Sequence, residues 1–357
     1  MNKNIIIKTK EKKYRIEIKS NSLNYNLKKI IKSEDKVFIL IDEKVSYAIK
    51  NLKLSKKIFV LKINGSEKIK SFKFFQKISE NLILKGIDRN SCIIAIGGGT
   101  ILDLSGFIAS TILRGVKFIL FPTTLLSQVD SSIGGKNGIN SSNGKNLIGT
   151  FYQPDLIIID PKILLSLSKR ELKSGYAEVL KHALISDLSF FKFLEKNYHK
   201  IFNLELKTLE QIIFKSIKIK SKFVNNDTKE ILTNNNSRAI LNFGHTVGHS
   251  LEAFYGYSNK LNHGEAISIG MIVESVISNK VGFLKDKQLN RILEHFNNVQ
   301  LKTYDKNINN NKIFQIMEND KKNLHNKINI ILLKDIGKSI YHRNIKINLI
   351  KKITKNI

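Results

Sequence analysis

Two histidines four residues apart, His245 and His249 in "NFGHTVGHS", stand in a chain that has only eight. Four residues is a little over one helical turn, so on a helix the two imidazoles share a face. Such a pair can bind one metal together, divide metal binding from proton transfer, or simply pack. Downstream, His263 opens "HGEAISIGM" ahead of another apolar helix; upstream, Glu178 lies in "SGYAEVLKHALIS" among Tyr, Ala, Val and Leu. A carboxylate in that setting is expected to be buried, and a buried carboxylate needs a partner or a metal. The alternative is a surface ion pair with Lys181, three residues on and worth little. Two histidines and a glutamate on separate helices form a zinc set that leaves room for a substrate. The spacing does not make a zinc protease, because that motif needs glutamate directly after its first histidine and Thr246 stands there.

A second chemistry-bearing stretch is "AIGGGTILDLSGFIAS" (95–110). A strand runs into three glycines and then an amphipathic helix, a turn that lets backbone approach a phosphate while the helix N-terminus favours its charge. The run is not G-x-G-x-x-G, and a plain tight turn reads the same way. Asp103, one turn into the helix, is placed to accept hydrogen bonds from a ribose or an amide. The stretch that follows, 122–154, is so rich in Gly, Ser and Asn that it reads as a long functional loop rather than a regular element. It carries Asp130, Lys136, Lys145 and Asn146, and lysines beside glycines suit phosphate or carboxylate.

These groups need a scaffold. "KVFILID", "KKIFVLKI", "SCIIAIGGG", "VKFILFPTT" and "DLIIID" are short apolar runs ending in turn residues, which predicts buried parallel strands, with helices such as "IKSFKFFQKISENLILKG" between them. That alternation predicts an α/β, Rossmann-like domain over residues 1–165. Beyond it, apolar-periodic stretches predict a mostly α-helical domain over 166–357, with a late strand pair within 327–340. The first twenty residues alternate as a hairpin or edge strand does, and the asparagine-rich patches "LTNNNS" and "YDKNINNNK" read as loops.

With 357 residues, 42% hydrophobic and 25% charged, the chain has material for two folded domains. No apolar run reaches the roughly 20 residues that span a bilayer, and the start has no secretory pattern. A lone cysteine, Cys92, allows no internal disulfide and suits a reducing compartment, so cytoplasm is expected. Lys and Arg outnumber Asp and Glu by 60 to 30, a formal charge of +30. A nucleic-acid binder would concentrate that charge in an arm or an aromatic–basic sheet. Here lysine, asparagine and isoleucine are abundant throughout, which reads as compositional drift, so no nucleic-acid partner is expected.

Taken together, "IGGGTILDLSGFIAST", "RGVKF", "PTTLLSQVDSSIGGK", "GKNLIGTFYQP", "GYAEVLKHALI", "LNFGHTVGH" and "HGEA" resemble the 3-dehydroquinate synthase family in order and near spacing, over roughly residues 36–337. The resemblance implies a nucleotide-binding α/β domain, an α-helical metal-binding domain and an active site between them. It implies bound NAD and a divalent metal, zinc or cobalt, in a homodimer. The implied substrate is 3-deoxy-D-arabino-heptulosonate 7-phosphate, converted to 3-dehydroquinate and phosphate. The implied cycle oxidises a ring hydroxyl with NAD, eliminates phosphate, reduces the ketone back, opens the ring and closes a carbocycle, so that NAD is regenerated.

The resemblance also assigns residues. It makes Glu178, His245 and His263 the metal ligands and His249 the group that handles a hydroxyl proton, so the opening pair divides its labour. It adds Glu230, Lys181 and Asp130 to the catalytic set. Arg114, Asp130, Lys136, Lys145, Asn146, Lys181, Lys220, Arg238, Asn242, His249 and Lys322 match substrate-holding positions, Lys321 being the alternative to Lys322. Asn146, Lys181, Lys220 and Arg238 favour a carboxylate-bearing substrate over those of other sugar-phosphate cyclases. Asp42, Glu67, Lys70, Gly98, Gly99, Asp103, Thr123, Thr124, Lys136, Lys145 and the run Ile163, Leu164, Leu165, Ser166 match NAD-contacting positions. Two departures stand out. "ILTNNNS" lengthens the gap from Glu230 to Arg238, with Asn234 the alternative to Glu230, and Asn262 precedes His263 where leucine is common.

Overall fold

A computed structural model of the chain describes residues 3–50, 52, 55–319 and 327–355. The chain divides into two compact units, Met1–Leu172 with Leu204–Ser221, and Lys173–Asn203 with Lys222–Ile357. No helix among the described residues is long and apolar enough to cross a membrane.

The first unit is built on the apolar runs. Strands β1 (Lys3–Lys8) and β2 (Lys13–Ile18) form an antiparallel hairpin, and helix α1 (Leu23–Ser33) leads to β3 (Val37–Asp42). Then come β4 (Ile58–Ile63), α2 (Phe72–Leu84), β5 (Cys92–Gly97), α3 (Gly99–Thr111) and β6 (Lys117–Pro122). A separate hairpin of β7 (Lys136–Ser141) and β8 (Gly144–Phe151) precedes β9 (Leu156–Ile159). One seven-stranded sheet has the order β1-β2-β9-β6-β5-β3-β4, parallel except at the β1–β2 edge. Every residue of β3 and β5 is buried, as a strand covered on both faces requires. The chain steps outward from β3 to β4 and then returns to the other side of β3 as β5. At such a reversal the flanking loops diverge and leave a crevice beyond the strand ends, where ligands of parallel sheets bind.

The hairpin corrects the expectation of an irregular loop over 122–154. Gly138 pairs directly with Gly149, and a Cβ on either would lie 2.5 Å and 2.1 Å from the opposing backbone oxygens of Ile148 and Asn137. The glycines that make the stretch look irregular are what allow its two strands to meet. Ahead of the hairpin, Ser127–Ser131 forms a short π-helical turn.

The second unit is helical. Helix α4 (Lys169–Ser186) enters it from the first unit, followed by α5 (Leu188–Phe202) and α6 (Leu206–Asn226), whose first part belongs to the first unit. Then come α7 (His245–Phe254), α8 (His263–Lys280), α9 (Asp286–Asn298) and α10 (Asn311–Glu318). The antiparallel strands β10 (Lys327–Asp335) and β11 (Lys338–Lys346) and helix α11 (Ile347–Thr354) complete it. Its core packs Val247 and Leu251 of α7 against Ile269, Val273 and Ile277 of α8, with Ile330 and Leu332 of β10. Helix α8 is buried on nearly all sides, consistent with its apolar sequence.

Candidate functional site

In the first unit the expected nucleotide residues gather at the strand ends beside the reversal. Asp42 ends β3, buried, with Oδ1 accepting the Lys44 amide at 3.0 Å. Gly98 and Gly99 link β5 to α3, and Gly98 offers the helix no side-chain cap. A Cβ on Gly98 would stand 3.3 Å from Thr124, and one on Gly99 3.0 Å from the Ser131 hydroxyl. Gly98, Gly99 and Thr100 are half-buried, so the absence of side chains at the two glycines leaves the first-turn amides of α3 approachable, which is what a pyrophosphate needs. Thr123 donates its amide to Gly97 at 2.9 Å, and Thr124 exchanges hydrogen bonds with Ser127. Of the run after β9, Ile163 and Leu164 are buried while Leu165 and Ser166 are exposed, with the Ser166 hydroxyl 2.9 Å from Tyr47.

Beside this cradle the chain builds a connected polar network. Lys70 is buried, and its ammonium donates to Asp103 at 2.7 Å and to the Asn146 side-chain oxygen. Burial raises the Asp103 carboxyl above its ordinary range, against the pull of that ammonium. Asn140 joins the parts: its amide donates to the Lys70 carbonyl at 2.9 Å, its side chain donates to Glu67 at 2.8 Å, and its oxygen accepts the Asn146 amide at 3.0 Å. Asn140 was not singled out in the sequence; its place in β7 of the glycine-rich stretch was the available signal. Lys220 reaches Asp130, donating to its carboxylate and its carbonyl, both at 2.6 Å. Lys145 is half-buried on β8, and Lys136 is exposed at the start of β7. Arg114 is exposed too, at a turn where Leu113 and Arg114 both take left-handed backbone.

In the second unit Glu178 is fully buried on α4 and pairs with Lys181, itself 1% exposed. The pair is therefore a core feature rather than a surface one. His245 Nε2 and His263 Nε2 stand 3.6 Å and 3.4 Å from the same oxygen, Glu178 Oε1. Both rings are oriented from behind: His245 Nδ1 donates to the Phe243 carbonyl and His263 Nδ1 to the Glu252 carboxylate, each at 3.1 Å. Three donor atoms within 4.8 Å of one another, each imidazole with its far nitrogen engaged, suit a divalent ion of the zinc type. The electrostatics agree with a cation site. Burial works against the charge on Glu178, but Lys181 and the two imidazoles hold it well below the usual carboxylate range. Burial and the Lys181 charge push His245 down. Burial opposes a charge on His263 as well, yet the Glu252 and Glu178 carboxylates pull it up to about 10. His249 is exposed one turn beyond His245, their rings 5.0 Å apart.

The helix starts explain these positions. Gly244, at φ +79°, turns the chain into α7, so His245 is that helix's first residue. The Gly244 amide donates at 2.6 Å to Glu274, a fully buried acid of α8 that also receives the Thr246 and Val247 amides. Asn262 accounts for its departure from the family pattern. It caps α8 by accepting the Glu265 amide at 2.9 Å while Glu265 accepts the Asn262 amide at 2.9 Å, a capping box that starts the helix at His263. In the lengthened loop, buried Asp227 accepts the amides of Ile231, Leu232 and Arg238 and the hydroxyl of Ser237. Glu230 accepts from Asn242 at 2.7 Å, Arg238 donates to the Thr228 carbonyl at 2.8 Å, and Asn234 is exposed. Lys321 and Lys322 lie outside the described residues. Glu252 and Glu274 were missed in the sequence. Glu252 had a signal, since it follows His245 by seven residues and His249 by three, on one helix face.

A glycine turn at a parallel-sheet reversal in one unit, and a carboxylate with two imidazoles in the other, define a class: the metal-dependent enzymes with a Rossmann-like α/β unit and a helical unit. The family is more particular. Models of the 3-dehydroquinate synthase N-terminal and C-terminal regions match residues 60–174 and 175–323, and the chain belongs to the 3-dehydroquinate synthase family. It is 46% identical over 303 residues to a 3-dehydroquinate synthase of Pelagibacter ubique, covering 82% of this chain and 81% of that one. Identity to the Thermoanaerobacter pseudethanolicus enzyme is 38% over 346 residues, covering 94% and 95%. Among solved structures it is similar to 2-deoxy-scyllo-inosose synthase complexed with carbaglucose-6-phosphate, NAD+ and Co2+. That match has a TM-score of 0.87 at 25% identity, covering 99% of this chain and all of that one.

Proposed function

We propose that the chain converts 3-deoxy-D-arabino-heptulosonate 7-phosphate to 3-dehydroquinate and phosphate, an NAD- and divalent-metal-dependent phosphorus–oxygen lyase reaction of aromatic biosynthesis. The observation that carries this reading is the approach of His245 Nε2 and His263 Nε2 to one oxygen of a fully buried Glu178, in a chain of this family. Bound NAD supplies a hydride acceptor and donor, and bound metal lowers the pKa of a substrate hydroxyl and polarises the ketone next to the C–H that must ionise. Glu178, His245 and His263 hold the metal. His249, exposed and on the ligand face of α7, takes the hydroxyl proton. Asp42, Glu67, Lys70, Asp103, Thr123, Thr124, the α3 N-terminus and the 163–166 turn hold NAD.

A substrate bearing both carboxylate and phosphate needs several cations, and Arg114, Lys136, Lys145, Lys181, Lys220, Arg238 and Lys322 fill that role. Lys220 is held by Asp130, so its ammonium is fixed in place before substrate arrives. Asn146 and Asn242 contribute amide contacts, and Glu230, held by Asn242, supplies an acid. Lys181, buried against Glu178, keeps that carboxylate ionised for ligation. The lone buried cysteine suits a reducing compartment such as the cytoplasm, and the family resemblance suggests a homodimer, which light scattering on the purified protein would test.

Phosphate release from the heptulosonate phosphate, with NAD and zinc and product mass spectrometry, tests the reading in wild type and His249→Ala. Dehydroquinate from wild type, with turnover reduced about 10²–10⁴-fold in the variant, is the expected result for loss of a proton-transfer group. Phosphate without dehydroquinate would assign a different carbocycle. No phosphate from metal- and NAD-loaded wild type would end the proposal.

A further inference from the structure

His263 differs from His245 in what holds it. The Nδ1 of His245 is engaged by a backbone carbonyl, which no side-chain change removes. The Nδ1 of His263 is engaged at 3.1 Å by the carboxylate of Glu252, a side chain. Glu252 is buried at 5% exposure on α7, while the His263 side chain is 27% exposed at the first position of α8. An imidazole at a helix start, partly open to solvent, has room to turn about its side-chain torsions unless something fixes it. A carboxylate accepting at Nδ1 does so in two ways. It fixes the tautomer that leaves the Nε2 lone pair free, and it raises the basicity of that nitrogen.

We propose that Glu252 is a positioning residue that holds His263 in its ligating orientation and thereby sets the affinity of the site for its divalent metal. The proposal rests on the reading that Glu178, His245 and His263 ligate the ion. It explains why an acid is buried on α7 seven residues after His245: the helix that supplies one ligand also orients the next. Glu252 also stands near enough to His249 and His263 to belong to a ligand set itself, all three having donor atoms within 4.8 Å. A positioning residue and a ligand differ in how much affinity their removal costs.

The test is zinc affinity, measured by competition against a chromophoric chelator at pH 7.5. It uses full-length wild type, Glu252→Gln, Glu252→Ala and His263→Ala, with circular dichroism to confirm folding. Glu252→Ala should bind zinc about 10–100-fold more weakly, the range found when such outer partners are removed. Glu252→Gln retains an acceptor oxygen and should lose less, and His263→Ala should lose the most. Wild-type affinity in folded Glu252→Ala, with affinity lost in His263→Ala, would overturn this proposal alone. A loss in Glu252→Ala as deep as in His263→Ala would make Glu252 a ligand and overturn it too. Unchanged binding in His263→Ala would remove the ligand reading itself. Should Glu252→Ala not fold, Glu252→Met, closer in volume and without an acceptor oxygen, decides, since wild-type affinity there would overturn the proposal.

Discussion

Acid should loosen the second unit in part through one buried histidine of its core. His295, on α9, is 2% exposed, and its Nε2 lies 2.8 Å from the hydroxyl of Tyr176 on α4, two residues before Glu178. The rings of Phe191 and Tyr198 stand edge-on to it, at 5.4 Å and 6.1 Å. Burial pushes the imidazole down from 6.5 to about 4, with Glu195 opposing the fall and Arg291 adding to it. A base whose folded-state value is depressed contributes stability that is intact above its unfolded value and lost as pH falls toward the folded one. For His295 that window runs from 6.5 down to about 4. Linkage over those two values gives a loss of about 2 kcal/mol between pH 7 and pH 5, because the unfolded chain takes up a proton that the folded chain refuses. His295→Phe removes the titration and deprives Tyr176 of its partner, at about 1 kcal/mol at either pH. Urea denaturation of both proteins at pH 7 and pH 5 isolates the effect from every other titrating group. Wild type should lose about 2 kcal/mol more than the variant over that interval. Equal losses would refute the reasoning, showing that the imidazole charges in place with water reaching it.

Two further perturbations test the scaffold. A Cβ at position 270 would lie 1.9 Å from the Gly244 carbonyl oxygen. Gly270→Ala must therefore push α7 from α8, costing about 1–3 kcal/mol by overpacking; zinc affinity should fall with the melting temperature, and unchanged values of both would contradict the close approach. Lys70→Met should weaken NAD binding by calorimetry about tenfold or more, since it strips a charged hydrogen bond worth roughly 1.5–3 kcal/mol from Asp103 and its partners. Unaltered NAD affinity would remove that network from the cofactor site.

Strands β3, β5 and β6 were legible because burial on both faces leaves continuous apolar runs, and α7 and α8 because their histidines and glycines punctuate apolar stretches. The hairpin β7–β8 was not legible. Its signal would be alternation, and Gly138 opposite Gly149 replaces side chains with backbone contact. Helix α6 was readable as a helix, but periodicity does not say which core a face meets, and its first part joins the first unit. Glu178 and the three histidines could be singled out by type and spacing, whereas Asn140 and Glu274 could not. What those two do depends on partners 70 and 30 positions away in sequence, Lys70 and Gly244.

Charge balance around His245 and His263 bears on the proposed proton transfer. Glu178 and Glu252 contribute two negative charges and Lys181 one positive, leaving a single negative charge on groups held in the buried site. Burial opposes a charge on His263, but the Glu252 and Glu178 carboxylates on either side of it draw it up to about 10. A divalent ion held by Glu178, His245 and His263, as proposed, would offer those carboxylates more charge than a proton and would compete with it for Nε2. The charges would then sum to one positive, which an anionic substrate oxygen would balance. Burial makes this balance costly to violate, because an uncompensated charge in a low dielectric finds no water to share it. On the proposed reading that balance would favour the ionised form of a substrate hydroxyl, with His249, exposed beside His245, taking the proton. Lys181 is needed in that account: without it the same ion would only neutralise the site's carboxylates, and the drive to ionise a hydroxyl would be lost.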